Sequence, residues 1–387
     1  MLYKRLAQAL AFPFICAAIE VPHIRSYFYA GGQYIQRADG EHIMTGQIYV
    51  EHLKPISGPI QPYPIIFIHG ADQTATNWLN KPDGEPGWAS FFLSKGYECY
   101  LLDQAARGRS PLQIETDVKQ KKFSVEILQR YFTAIGRYGV WPQSATHTQW
   151  PGNGTMGDPI FDAYCASTVP SLADNAIQET MMRAAGVALL KDLNRPAILL
   201  AHSQGGSMAW VIADEAPHLV HAIVAVEPSG PPFANAKFFG GQPARPYGLS
   251  DIPLKYMPPV EDPELDFTRK TIVSYVPDHM DCILQADTPP PRQLVNLSRF
   301  PVLVVTGESS YHATHDWCTV KFMRQAGMDA EHLQLSSVDI RGNGHMMFLE
   351  KNSDEIASKI SRWIEGTFQQ NGQNFIHPER WAQQSFG

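Results

Sequence analysis

The chain has 387 residues, 44% hydrophobic and 18% charged, enough apolar material for a large core and far from the profile of a disordered chain. A formal net charge of -7, a pI near 6.0 and the lack of any Lys/Arg run exclude an electrostatic footprint for a phosphate backbone, so nucleic acid is not an expected partner. No apolar stretch approaches the roughly 20 residues that cross a bilayer, so no membrane span is expected.

At the N-terminus, Lys4 and Arg5 precede a mostly apolar run from Leu6 to Ile19 that ends in small residues around Cys16, Ala17 and Ala18, the layout of a signal peptide in residues 1–19. Gln8 and Pro13 interrupt the run, and a segment packed on the body is the alternative. The sequence leans towards secretion, with a cytoplasmic location as the other reading. Two glycosylation sequons, Asn153-Gly154-Thr155 and Asn296-Leu297-Ser298, are compatible with secretion. The five cysteines, Cys16, Cys99, Cys165, Cys282 and Cys318, show no metal-ligand spacing. If Cys16 leaves with a signal peptide, four remain and disulfides become possible, Cys282 with Cys318 first. Unpaired buried thiols are the alternative.

Two strands are predicted around Ser26 to Gln36 and Met44 to His52, joined through the Asp39-Gly40 turn, so the fold opens with antiparallel strands. Short apolar runs then alternate with helical stretches, the signature of a parallel sheet with crossover helices. The predicted strands are Pro64 to His69, Tyr97 to Asp103, Ala197 to His202, Ala222 to Glu227, Pro301 to Gly307 and Leu333 to Ile340. The predicted helices are Trp88 to Ser94, Leu172 to Leu193, Gly205 to Glu215, His315 to Gln325 and Ser353 to Phe368. Residues 20–387 thus read as one domain with two insertions, at about 104–170 and 228–300, rich in Pro, Gly and aromatic residues and expected to form a lid or cap.

Chemistry concentrates in Ala201-His202-Ser203-Gln204-Gly205-Gly206, directly after an apolar strand and directly before a helix. This is a G-x-S-x-G elbow with Ala in the first glycine position; the small residues let strand and helix backbones approach around a strained serine. Serine is a weak nucleophile without a base, and the base needs an orienting acid. His345, in Gly342-Asn343-Gly344-His345 after the last predicted strand, lies where the base belongs, while His312, His315 and His332 precede that strand. The usual slot for the acid, three residues beyond Gly307, holds Ser310. Glu227 ends the strand beside the nucleophile strand and is the expected acid, with Glu308 and Asp316 as alternatives. The expected oxyanion donors are the backbone N–H groups of Gln204 and Ala71, the latter in the loop His69-Gly70-Ala71-Asp72, with Asp72 N–H as the alternative and His69 as a structural residue.

Phe67-Ile68-His69-Gly70, the Ser203 elbow, Val226-Glu227-Pro228 and Gly344-His345 together resemble the α/β-hydrolase superfamily, over about Pro62 to Phe368. Gly87-Trp88, Gly96-Tyr97, Leu102-Asp103 and Arg107-Gly108-Arg109-Ser110, with Glu227, are similar to a bacterial esterase subgroup whose acid is a glutamate at that strand. The subgroup has adjacent cysteines in its oxyanion loop where this chain has Ala71 and Asp72. The resemblance implies an α/β-hydrolase fold: a mostly parallel central sheet, helices on both faces, antiparallel N-terminal strands and insertions. It also implies a serine hydrolase acting on a small-molecule ester or lactone, needing no cofactor, and the aromatic residues of the insertions suggest an apolar or aromatic group on that substrate. A homodimer is compatible with the sequence. Ser203 argues against relatives with an aspartate nucleophile. Acyl transfer or thioester hydrolysis would use the same residues, and a silent or slow ligand-binding protein on this fold is the rival from another class.

Overall fold

The computed structural model describes residues 20–112 and 119–370, so the signal-peptide expectation for residues 1–19 lies outside the described residues. Eight strands form the central sheet: β1 (His23–Gln36), β2 (His42–Pro55), β3 (Ile65–Ile68), β4 (Cys99–Leu102), β5 (Ala197–His202), β6 (Val220–Val226), β7 (Val302–Thr306) and β8 (Ala330–Gln334). Their spatial order is β1-β2-β4-β3-β5-β6-β7-β8. The β1–β2 and β2–β4 pairs are antiparallel and every pairing from β4 to β8 is parallel, so the antiparallel opening and parallel body expected from the sequence are both present.

Every residue of β3 to β7 is buried, as near-continuous apolar strands covered on both faces require. Alternate residues feed two cores. Ile66, Leu199, Ile223 and Val304 pack with residues of α2 (Asn175–Leu193), α3 (Gln204–Glu215) and α4 (Asp316–Gln325). Ile65, Leu200, Val224 and Leu303 pack with residues of α1 (Trp88–Ser94) and α5 (Ser353–Gln370).

Helix ends follow local chemistry. Helix α2 begins three residues later than predicted because the Asp174 side chain caps it by accepting from Ile177 N–H, while Ser171 and Leu172 pair with Lys121 and Gln120. The last strand also departs from its expectation: β8 covers Ala330–Gln334, not Leu333 to Ile340. It is a half-exposed edge strand with polar residues, whereas the apolar positions at Leu335 and Val338 belong to a 3₁₀ turn that buries Leu335.

Insertion residues fold as short elements. The first insertion holds helical turns at Val125–Leu128, Gln129–Thr133, Ile135–Tyr138, Pro142–Thr146 and Pro159–Ser167. The second holds a hairpin, Arg269–Ile272 with Cys282–Gln285, tied to α4 by the Cys282–Cys318 disulfide expected from the sequence. Cys99 and Cys165 are free. No helix among the described residues is long and apolar enough to cross a membrane.

Candidate active site

Ser203 sits between the end of β5 and the first turn of α3 with φ +53 and ψ -122, a backbone conformation L residues rarely adopt. The turn is tight because α3 lies against β3: a Cβ on Gly205 would meet the carbonyl oxygens of Ile68 and His69 at 2.6 and 2.7 Å. Gly206 is similarly closed off by Pro228, at 2.5 Å. Small residues at these positions are therefore a packing requirement, and the strained serine is held by hydrogen bonds from its N–H to Val226 O and from Ser229 N–H to its carbonyl.

The loop Gly342 to His345 brings the imidazole of His345 against the end of β6. His345 Nδ1 lies 2.6 Å from Glu227 Oε2, and both side chains are buried. Glu227 also accepts from Gly307 N–H at 2.7 Å and from Ser310 Oγ at 2.6 Å. Ser310, in the slot where an acid would ordinarily stand, thus donates to the acid supplied by the neighbouring strand. Of the alternatives, Glu308 pairs with Arg341 and accepts from Gly342 N–H. Asp316 accepts from Thr306 Oγ1 and lies 2.8 Å from His312 Nδ1. Neither is directed at His345.

Burial shapes the charges. It pushes His345 well below the ordinary histidine value, with the neighbouring His202, His312 and His315 acting in the same direction. Burial, reinforced by Asp316, pushes Glu227 well above the ordinary carboxylate range, against the opposing hydrogen bonds from Ser310 and Gly307. At rest the pair is therefore a neutral imidazole beside a carboxyl group held by three partners.

Gly70 brings the loop after β3 onto the elbow, since a Cβ there would lie 3.0 Å from Ser203 Cβ. His69 serves this loop as expected: Nδ1 lies 2.9 Å from Gly70 O and Nε2 accepts from Gln104 N–H. The N–H of Asp72 is engaged by Ser171 Oγ at 2.8 Å. Among the described residues neither Ala71 N–H nor Gln204 N–H has a partner, which leaves those two donors available beside Ser203. Arg107 joins the two halves, donating through Nη1 to Gly70 O at 2.8 Å and through Nη2 to Gln204 Oε1 at 3.0 Å. Burial lowers its pKa to about 10, which still leaves it cationic at neutral pH.

Several residues of the site were not singled out from sequence. Glu350 holds the His345 loop by accepting from Gly344 N–H at 3.0 Å and Asn343 Nδ2 at 2.8 Å, with His147 Nε2 of the first insertion 2.7 Å away. Tyr311 places its hydroxyl 3.2 Å from His345 Nε2, within hydrogen-bonding reach of the Ser203 side chain. Its proximity to the acid slot was the available signal, but an isolated aromatic in a loop reads equally well as packing. Two groups of described side chains bring possible metal-ligand atoms within 4.8 Å, Glu227 with His312 and His345, and His312 with His315 and Asp316. In each, the close pairs already hydrogen-bond one another.

With this geometry in place, the family assignment follows from comparison. A sequence model of the alpha/beta hydrolase family matches residues 65–359. The chain belongs to the alpha/beta hydrolase family. A probable secreted lipase, phiG, of Fungal sp. (strain ATCC 74256) is 46% identical over 344 residues, covering 88% of this chain and 90% of that protein. A solved structure of a novel bacterial esterase superposes with a TM-score of 0.59 at 20% identity, covering 92% of this chain and 99% of the other, a likeness of fold. In this fold the elbow follows β5 and the loop carrying His345 follows β8.

Proposed function

We propose that this alpha/beta hydrolase cleaves carboxylic esters, lactones included, through an acyl-enzyme on Ser203. The observation that carries the reading is the 2.6 Å contact between His345 Nδ1 and the buried Glu227, behind a serine held in a strained elbow. His345 takes the Ser203 proton through Nε2 as the hydroxyl attacks the carbonyl, and Glu227 orients the ring and favours its imidazolium. Gln204 and Ala71 N–H groups stabilise the oxyanion, Arg107 fixing their spacing by holding Gly70 and Gln204. The imidazolium then protonates the leaving alcohol, and water, deprotonated by His345, releases the acid.

The two insertions act as the lid. Tyr131 and Trp141 of the first stack at 6.1 Å, and Phe238 and Phe239 of the second pack on Trp141, Tyr131 and Tyr311. Such an aromatic roof suits an apolar acyl or alcohol group. Ester hydrolysis also agrees with the names of the relatives, a lipase and an esterase. Secretion is the proposed location: the 46% identical relative is described as secreted, and disulfides such as Cys282–Cys318 form in oxidising compartments.

Intact-mass analysis after fluorophosphonate treatment, with p-nitrophenyl acetate hydrolysis in parallel, tests the reading. One adduct and turnover are expected, both lost in Ser203→Ala. Glu227→Gln should lower kcat about 1,000-fold or more, with Glu308→Gln within about threefold of wild type. The reverse ranking would remove Glu227 from its role, and no adduct on folded protein would remove Ser203.

A further inference from the structure

In the proposed mechanism Nδ1 donates to the Glu227 carboxylate, so Nε2 of the neutral ring carries the lone pair and the Tyr311 hydroxyl 3.2 Å away is the donor. Its oxygen is also within reach of the Ser203 hydroxyl. No direct Ser203–His345 hydrogen bond is present among the described residues. The phenol oxygen therefore stands at Nε2, on the side of the ring that faces the nucleophile. In an acyl transfer the leaving oxygen must come to this side, because it has to stand next to both the carbon on Ser203 and the proton on Nε2.

Resting on the ester-hydrolase reading above, we propose that Tyr311 is a further catalytic residue, whose hydroxyl, freed from Nε2 when His345 takes the Ser203 proton, donates its hydrogen bond to the leaving oxygen as the tetrahedral intermediate collapses. The scissile C–O bond breaks and its electron pair stays on the leaving oxygen. That oxygen takes the proton from His345 Nε2, while Tyr311 donates a hydrogen bond and keeps its own proton. In the second half of the cycle the same hydroxyl holds the attacking water beside Nε2.

The surroundings suit a fixed donor. The ring is walled by Phe239 at 5.2 Å, Trp141 at 5.7 Å and Phe238 at 5.9 Å, all edge-on, and by His312 at 4.5 Å. The residues before it are pinned: Ser310 to Glu227, and Ser309 through its carbonyl, which accepts from Trp141 Nε1 at 2.8 Å. Burial, with Glu227 and Asp316 acting in the same direction, holds the phenol well above its ordinary pKa, so it stays protonated wherever the protein is folded and active. The loop that supplies the acid in the usual arrangement here supplies two hydroxyls, one at each end of the Glu227–His345 pair.

The test compares Tyr311→Phe, which keeps the ring and removes the hydroxyl, with wild type on ethyl and p-nitrophenyl esters of one acid, and on fluorophosphonate labelling of Ser203. A p-nitrophenolate leaves without help, whereas an ethoxide needs stabilisation. The expected result is a loss of about 100-fold in kcat/KM on the ethyl ester, with the p-nitrophenyl ester and labelling rate within about threefold of wild type. An equal loss of kcat/KM on both esters, meaning a structural role, overturns the proposal. So does no loss on either, or a gain, which would make Tyr311 a block on the site. If wild type hydrolyses neither ester and Ser203 takes no label, the ester-hydrolase reading itself fails and this proposal falls with it.

Discussion

His345 can act as a base only while its imidazole is neutral, and its surroundings keep it so. Burial comes first, and the neighbouring rings of His202 at 4.4 Å and His312, stacked flat at 5.0 Å, act in the same direction. A base whose pKa lies below the ordinary histidine value stays deprotonated as pH falls through 6.5. The acid limb of the kcat/KM profile is therefore expected below pH 6.5, with most activity retained at pH 6. A limb at or above 6.5 would show that the attraction of Glu227 for the imidazolium outweighs burial. At this scale the proposed site was legible where its pattern is local. Ser203 is marked by three small neighbours, Ala201, Gly205 and Gly206, and His345 by its glycine loop. Glu227 could be picked out only because Ser310 vacated the usual slot. Tyr311 and Glu350 were not legible: Tyr311 reaches His345 from a distant part of the sequence, and Glu350, although only six residues beyond Gly344, carries no local signature.

At the scale of elements, the approach of α3 to β3 decides whether the elbow can form. The carbonyls of Ile68 and His69 lie where a Cβ on Gly205 would go, and they cannot retreat without disturbing β3, which is hydrogen-bonded on both sides. Gly205→Ala is expected to cost about 1–3 kcal/mol, seen as a thermal midpoint lowered by about 2 °C or more. Gly366 is the contrast: it is exposed within α5, and a Cβ there meets nothing within 4 Å, so Gly366→Ala should stabilise by about 0.5–1 kcal/mol. Thermal melts of the two variants check both, and equal shifts would contradict the packing argument. Element prediction succeeded best for the central strands, because buried strands are unbroken apolar runs. It failed at β8, because an edge strand is half-polar and its hydrophobic residues lie beyond its end.

For the whole molecule, the proposed secretion has chemical consequences that the two sequons and four described cysteines make specific. Asn153 is exposed. The side-chain nitrogen of Asn296 donates to Asp214 O at 2.8 Å, which ties up the atom a glycan would need. Secretion from a eukaryotic host should give protein with one N-glycan, at Asn153, and a Cys282–Cys318 crosslink, with Cys99 and Cys165 as thiols. Peptide mass mapping before and after deglycosylation, without reduction, reads all three; a glycan on Asn296 or free thiols at 282 and 318 would contradict them. What the sequence by itself determined is what depends on spacing along the chain: the alternation of strands and helices that sets a parallel sheet, the strand-to-helix elbow around Ser203, and the chain order of the proposed Ser203, Glu227 and His345. What only the tertiary structure decided is what depends on segments far apart in the chain meeting at the sheet's carboxyl edge. Glu227 rather than Glu308 or Asp316 faces His345 because β6 and the 342–345 loop converge there. Likewise, Arg107 bridges Gly70 and Gln204, and Tyr311 reaches Nε2 beneath aromatics from both insertions. Hydrogen bonds and burial act through space over a few ångströms, and sequence separation carries no record of them.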